Sequence, residues 1–559
     1  MSTLGQPNRP ERRRVSARWL RVAVVAGLAG LTAAAGYLPS AFGQAQPKMD
    51  TNEENAPRRT RKPAVSAAEL GRLRMLEIQS GAFREAHKDP GSQQLVGPPL
   101  SDREKVMHVM NRLAFGPKQG DVENVLLEGG LTDQWKGWVA DQLKTDKKDQ
   151  SGIETDIAKK LTSVKMTIAE SHKEFPDMRG SGKDWRQPGR ELQDAVLLRA
   201  VYSDRQLQEV LCEFWRNHFC IDFSTGESKP RSWAAADYEQ KVVRDQIFGK
   251  FSHMVFASAR HPAMLDYLDN QVSRANNWNE NYARELMELH TVGVDRGYTD
   301  FDVIELSKVL TGWQFDRGSY EFKFNDGQHQ AGMKKVMGQT IQPGYAGGEQ
   351  AIMMLANRRE TANFIATKLC KYFVNDAPSP QLIAKVEKVF ADTKGDLPKV
   401  YEAIFYSPEF LDRGNFRAKF KTPFEFTVSA LRAVDARVDD PRDTVRVLTK
   451  MGQEIYNCPD PTGYYDRAEA WLDSGVLTSR WDYSLSMCRG SIKGVTPNPK
   501  VFAKHKGKKV DDLYKDVVRE LICDDIGDKT RQVLKEAADA GDIQRMYAIL
   551  IGCPSFQQQ

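Results

Sequence analysis

From Ser101 onward, apolar side chains return every three to four positions in segment after segment, the spacing of one face of an α-helix. In LQEVLCEFWRNHF, Leu207, Val210, Leu211, Phe214, Trp215, His218 and Phe219 fall on a single stripe. ETANFIATKLCKYFV, QLIAKVEKVFADT, KVYEAIFYS and FEFTVSALRAV repeat the period. End signals agree with it. Ser203 followed by Gln206 reads as a capping box. Pro262 suits the first turn of PAMLDYLD, and Thr299 and Asp300 cap DVIELSKVLTGW. Strand signals are few; YEFKF (320–324) before Asn325-Asp326-Gly327 reads as a short hairpin. The expected fold is mainly α, a multi-helix globular domain with a few short strands and long irregular loops at 173–190, 270–279 and 315–350.

The chain has 559 residues and a formal charge of +5, which suggests an anionic partner until its location is traced. Residues 1–45 carry six arginines against one acid, Glu11, which accounts for the whole excess. The remainder is formally neutral and offers no basic footprint for nucleic acid. Those arginines precede an apolar run, Val22 to Leu38, with small residues near Ala41–Ala45, the pattern of a secretory signal. As a helix the run spans roughly 25 Å, short of a roughly 30 Å hydrocarbon core, which favours a cleaved signal over an anchor. The Arg-Arg pairs are only a weak pointer to a twin-arginine route. No other stretch is long and apolar enough to span a membrane, so an exported, periplasmic or extracellular protein is expected. Residues 46–100 read as a disordered or partly helical spacer and 101–559 as a single large helical domain. Seven cysteines leave at least one unpaired within the chain. Cys212 and Cys220, eight apart on one expected helix, are separated by roughly 12 Å of rise, beyond disulfide reach. There is no haem-attachment motif, which leaves a redox cofactor with little support.

Phosphate-cradling glycine loops, G-x-S-x-G and H-E-x-x-H are all absent. Polar candidates gather instead between His218 and His329. In FWRNHF, His218 lies on the apolar stripe, where a histidine is ordinarily a satisfied core residue, while Glu213 and Asn217 share another face. In RHPAMLDYLDN, Asp266, Asp269 and Asn270 are three and four apart and are expected on one helix face, able to bind a hard cation or do acid–base work, or simply to be solvated. In NENYARELMELHT, a regular helix puts His290 among Tyr282, Ala283, Leu286, Met287 and Leu289. Glu280, Asn281, Arg284, Glu285 and Glu288 take the opposite arc, with Glu280, Arg284 and Glu288 as an i, i+4, i+8 ladder. A His–Glu dyad within that helix is therefore disfavoured. FNDGQHQAGMKKVMG reads either as a loop over a site or as an exposed basic loop.

HVMNRLAFGPKQGDVENVLLEGGLTDQW, SDRQLQEVLCEFWRNHF, HPAMLDYLDN, NENYARELMELHTVGV, VLTGW, FKFNDGQHQAGMKKVMG, RAKFKTPFEF and PTGYYDRAEAWL together resemble the bacterial family called domain of unknown function 1800, over roughly residues 101–490. The resemblance implies a mostly exported, helical protein without an established activity, with a co-exported sulfatase-like protein as a plausible partner. By motif it carries over Asn217, His218, His261, Asp269, Asn270, Asn279, Glu280, Asn281, Arg284, Glu285, Glu288, His290, Gly312, Trp313, His329, Gly332 and Lys334. At position 330 the family usually has aspartate, whereas here Gln330 follows His329, so a site relying on that carboxylate is in doubt.

These readings lead to two expectations. One is a hydrolase-like protein acting on an envelope or extracellular polymer, with His218, His290, Asp269, Glu285, Arg284 and Glu288 as catalytic candidates. Asn217, His261, Asp266, Asn270, Asn279, Glu280, Asn281, Trp313, His329 and Lys334 would be its binding candidates, and a divalent metal is possible. The other is a non-catalytic module for glycan or partner binding, in which the same residues form a structural network. Convergence on an open pocket favours the first, and dispersal or mutual satisfaction favours the second.

Overall fold

The computed structural model describes residues 98–128, 133–177, 182–223, 229–523 and 526–559. The segments expected as a signal and, for the most part, as a spacer lie outside the described residues, as does part of the 173–190 loop. Among the described residues the protein is mainly α-helical, with three two-stranded antiparallel pairs: Trp313–Phe315 with Phe322–Phe324, Lys334–Val336 with Gln339–Ile341, and Arg437–Val438 with Val495–Thr496. No described helix is long and apolar enough to cross a membrane.

One apolar cluster runs through the chain from Val106 to Phe556. At its centre lie two helices with almost no solvent face: Gln187–Tyr202, thirteen of whose sixteen residues are buried, and Pro423–Ala433, buried throughout. A helix with no solvent face can only sit between other helices. Gln206–His218 carries the expected stripe, and Arg359–Phe373 packs on Pro380–Thr393 and presents Lys368 to the end of Gln206–His218. Thr299 forms a full capping box with Asp302, and Pro262 opens its helix as expected.

Three local expectations are corrected. Ser203 is not an N-cap: the helix begins at Gln206, the Ser203 hydroxyl accepts from Arg205 N at 3.0 Å, and Gln206 Nε2 donates back to Ser203 O at 2.8 Å. The strand Phe322–Phe324 pairs backwards with Trp313–Phe315, and Asp326–Gln328 forms a 3-10 turn and not the bend of a forward hairpin. Asp266, Asp269 and Asn270 do not share a helix face, because the helix ends at Tyr267 and Asp269 turns left-handed at φ 60°. Short polar residues such as aspartate tolerate that conformation, and it ends a helix.

The Gln206–His218 helix is anchored by a buried ion network. Arg216 forks onto Glu239 at 3.0 and 3.1 Å and also meets Glu213. Arg244 forks onto Glu209 at 2.7 and 2.9 Å, and the Tyr456 hydroxyl donates to Glu239 at 2.5 Å. Burial opposes the Glu239 charge, but Arg216, Arg244 and Tyr456 outweigh it and hold the carboxyl at about 2. Such forks add direction as well as energy. Glu239→Ala leaves two arginines buried without their shared counter-charge. Loss of one partner of a buried pair costs about 3–5 kcal/mol, and urea unfolding of the variant should report a loss of that size.

Candidate active site

His218 is the last residue of its helix, and both ring nitrogens are engaged. Nε2 lies 3.2 Å from the His290 carbonyl, which can only accept, so Nε2 carries the proton. Nδ1 then accepts from Lys368 Nζ at 3.1 Å. Burial, followed by the charge of Lys368 and the nearness of His290, drives the His218 pKa far below the usual histidine range. The His290 carbonyl is available because the backbone there departs from a regular helix. The α-helix Asn281–Glu285 passes into a π turn, Leu286–His290, that ends the element. The last carbonyls of a helix have no partner within it, and this one meets His218. The His290 ring is itself buried, its Nε2 has no hydrogen-bond partner among the described residues, and burial lowers its pKa to about 3.

Lys368 opens onto a cavity of about 350 Å³. Its walls are Glu213, Phe214 and Asn217 from one helix, Phe364, Lys368, Lys371 and Tyr372 from another, and Thr462 to Glu469 from a loop. Asn217 positions that loop by acting on both sides of the Tyr464 peptide, accepting from its N–H at 2.6 Å and donating to its carbonyl at 2.8 Å. Gly463 is required beside it: its φ is 78°, and a Cβ there would sit 2.4 Å from Asn217 O. Behind the wall, Lys419 Nζ bridges Asp376 Oδ1 at 2.6 Å and Asp466 Oδ1 at 2.7 Å. Burial pushes Asp466 up to about 6 despite Lys419, whereas Lys419 and a backbone N–H keep Asp376 below its ordinary value. Burial also lowers Lys368 to about 8, against the pull of the nearby Asp466 charge. Two groups of one cavity thus titrate on either side of neutrality, the kind of pairing that acid–base sites use.

Of the residues expected in a site, Asn217 alone lines this cavity, while His218 and His290 are buried behind Lys368 and connect to it through the His218 ring. The others are distributed over structural tasks. His261 caps its helix through Nδ1 and meets Asp237 through Nε2 at 3.0 Å. Asp266 pairs with Arg231 and accepts from Gln271. The Asn270 amide donates to Leu310 O and Trp313 O, and Trp313 stacks on Tyr345. His329 Nδ1 donates to Thr311 O at 2.9 Å and Nε2 accepts from Gly344 N, with Lys334 Nζ 3.1 Å away. His329 and Lys334 thus anchor a segment whose positions 331–333 and 335 are exposed. Gln330 accepts from Asn276 N at 3.0 Å, so its side chain ties two loops together. Arg284 reaches Glu280, Glu288 and Asp300 at 3.2–3.4 Å as the expected ladder, with 35% of the side chain exposed, so each pair contributes only tenths of a kcal/mol. At the start of that helix Asn279 Oδ1 accepts from the Asn281 N–H at 2.9 Å, and the Asp269 carbonyl accepts weakly from Asn279. Glu285 stands apart, raised to about 7 by burial and by Glu288 and Asp460. No group of three or more described His, Cys, Asp or Glu residues is placed to hold a metal ion.

Lys368, Lys371, Tyr372, Asp376 and Asp466 were not among the expected site residues. The signal was present, since KLCKYF places Lys368, Lys371 and Tyr372 three to four apart, and PTGYYD carries Asp466.

The family described as "Protein of unknown function (DUF1800)" matches residues 108–558. The chain belongs to that family. The match extends well past residue 490, where the motif resemblance stops, and takes in the helices that close the fold. No curated protein and no solved structure matches the chain.

The histidine shifts have a consequence for acid stability. The folded state resists protonating His290 until about 3, while the unfolded chain does so near 6.5, so stability is full above about 6.5 and falls as pH drops between these values. His290→Leu should flatten the decline by about 1.4 kcal/mol per pH unit over that window, measured as urea midpoints of both proteins at each pH.

Proposed function

We propose that this is an exported, hydrolase-like protein acting on an envelope or extracellular polymer, and that its reaction centre is the Lys368–Asp466 cavity. One observation carries the reading: a lysine and an aspartate, shifted toward each other across neutrality, line one cavity close enough for their charges to interact. Between about 6 and about 8, Asp466 is ionised and Lys368 is protonated. In that state Asp466 serves as general base, taking a proton from water as its oxygen attacks the scissile bond. Lys368 serves as general acid, giving its proton to the leaving group and opposing the negative charge that develops there. His218 positions Lys368: its Nδ1 holds one ammonium hydrogen and leaves the others free to face the cavity. The polymer is suggested by the aromatic walls, Phe214, Phe364 and Tyr372, which suit the faces of sugar rings.

A second reading, a glycan- or partner-binding module without catalysis, is favoured by the dispersal of His261, Asn270 and His329 into satisfied structural contacts away from this cavity, and by the Lys419 bridge to Asp466. A co-exported sulfatase-like protein would be such a partner.

The two readings separate in a hydrolysis screen against extracellular polysaccharides and esters. The first expects a bell-shaped rate with limbs near 6 and 8, and a loss of about 10²–10⁴-fold in both Asp466→Asn and Lys368→Met. Activity that persists unchanged in Asp466→Asn removes the proposed base. Binding without turnover favours the module.

A further inference from the structure

We propose that this cavity selects an anionic ligand, a unit bearing a carboxylate, sulfate or phosphate, whose oxyanion is held by Lys371 and Arg296 with Lys368 beside them. The inference rests on the cavity of the hydrolytic reading and names the chemistry of what enters it.

The argument is a matter of which charges are already matched. Three acids of the wall are engaged by cations that do not line the cavity: Glu213 by Arg216, and both Asp376 and Asp466 by Lys419. Among the cations of the wall, Arg467 lies over the Tyr465 ring at 4.8 Å, whereas Lys368, Arg296 and Lys371 have no carboxylate within ion-pair distance among the described residues. Lys368 donates to a neutral histidine ring. Arg296 donates to the Asn363 side-chain oxygen and lies over the Phe364 ring at 5.6 Å. Lys371 has no carboxylate within ion-pair distance among the described residues, and its charge acts on Lys368, three residues earlier on the same helix. Glu469, exposed at the wall, is the remaining acid.

Two like charges one helical turn apart repel each other, and a partly enclosed site strengthens that repulsion. An oxyanion between them relieves it and gains charge-assisted hydrogen bonds, with the guanidinium of Arg296 suited to two oxygens at once. The Asp376–Asp466 pair of the wall repels an entering anion less than two free carboxylates would, because Lys419 neutralises part of its charge. The aromatic residues supply the apolar contact that a ring carrying the anion needs.

The test is calorimetric titration and thermal unfolding of the full chain with inorganic sulfate, inorganic phosphate, glucuronate and uncharged glucose, at one ionic strength set with chloride. At least one oxyanion should bind and raise the unfolding midpoint, with glucose far weaker. Binding by glucuronate alone assigns a uronate, by sulfate or phosphate alone an ester, and by all three a general oxyanion site; each supports the proposal. Lys371→Gln and Arg296→Gln should each weaken binding by about tenfold or more, and Lys371→Arg should restore most of it. Glucose binding as well as glucuronate, absence of any oxyanion effect at millimolar concentration, or full affinity in folded Lys371→Gln overturns it. Oxyanion binding with no hydrolysis of any polymer leaves this inference standing and removes the hydrolytic reading. Hydrolysis of a neutral polymer without oxyanion binding does the reverse.

Discussion

The end of the Gln206–His218 helix brings Arg216, Asn217 and His218 into surroundings with little water, and each must find its partners within the protein. An unpaired polar group there costs several kcal/mol, and an unpaired charge costs more. The three solutions lie in three directions. Arg216 takes Glu239 and Glu213, Asn217 takes the Tyr464 backbone, and His218 takes the His290 carbonyl and Lys368. Four otherwise remote segments are thereby held around one helix end. Asn217, through Tyr464, and His218, through Lys368, set two walls of the cavity.

That arrangement also explains why Lys368 and Asp466 are shifted in opposite directions within one cavity. The surrounding apolar packing disfavours charge on both, lowering the lysine and raising the aspartate. Neither has a private counter-charge strong enough to reverse this, since Lys419 is shared with Asp376 and His218 is neutral. Arg216 with Glu239, joined by two parallel hydrogen bonds, goes the other way and stays ionised. The contrast separates groups set for structure from groups left near neutrality.

Periodicity made the helices legible from the sequence, because burial on one face is a local pattern that survives any tertiary arrangement. The long segments around Phe214, Ile365, Val386 and Leu431 are where they were expected. Ends were less legible: Ser203 carries the letters of a capping box, yet its hydroxyl serves Arg205 and Asp149. Asp269 looked like a helical residue until its left-handed turn broke the face it was to share. The site was half legible. Histidine and asparagine drew attention to His218, His290 and Asn217, but a lysine on an amphipathic helix reads as solvent-facing, and only tertiary packing turns Lys368 toward His218. The resemblance to a family without an assigned activity marked positions without distinguishing clamp from reactive group, which is why His261, Asn270 and His329 appeared beside His218.

The glutamates and histidine of NENYARELMELHT point to opposite sides on a regular helical wheel, and the π turn keeps that separation while adding something the wheel omits. Its contribution to the site is a backbone carbonyl and not a side chain. By accepting from His218 Nε2, the His290 carbonyl fixes which ring nitrogen is bare, and the bare one faces Lys368. A regular α-helix continuing past His290 would occupy that carbonyl with an amide four residues on. His218 would then lose the acceptor that selects its tautomer, and Lys368 would lose an oriented partner. The irregular turn is therefore the element through which a buried, uncharged histidine sets the direction of a lysine that faces the cavity.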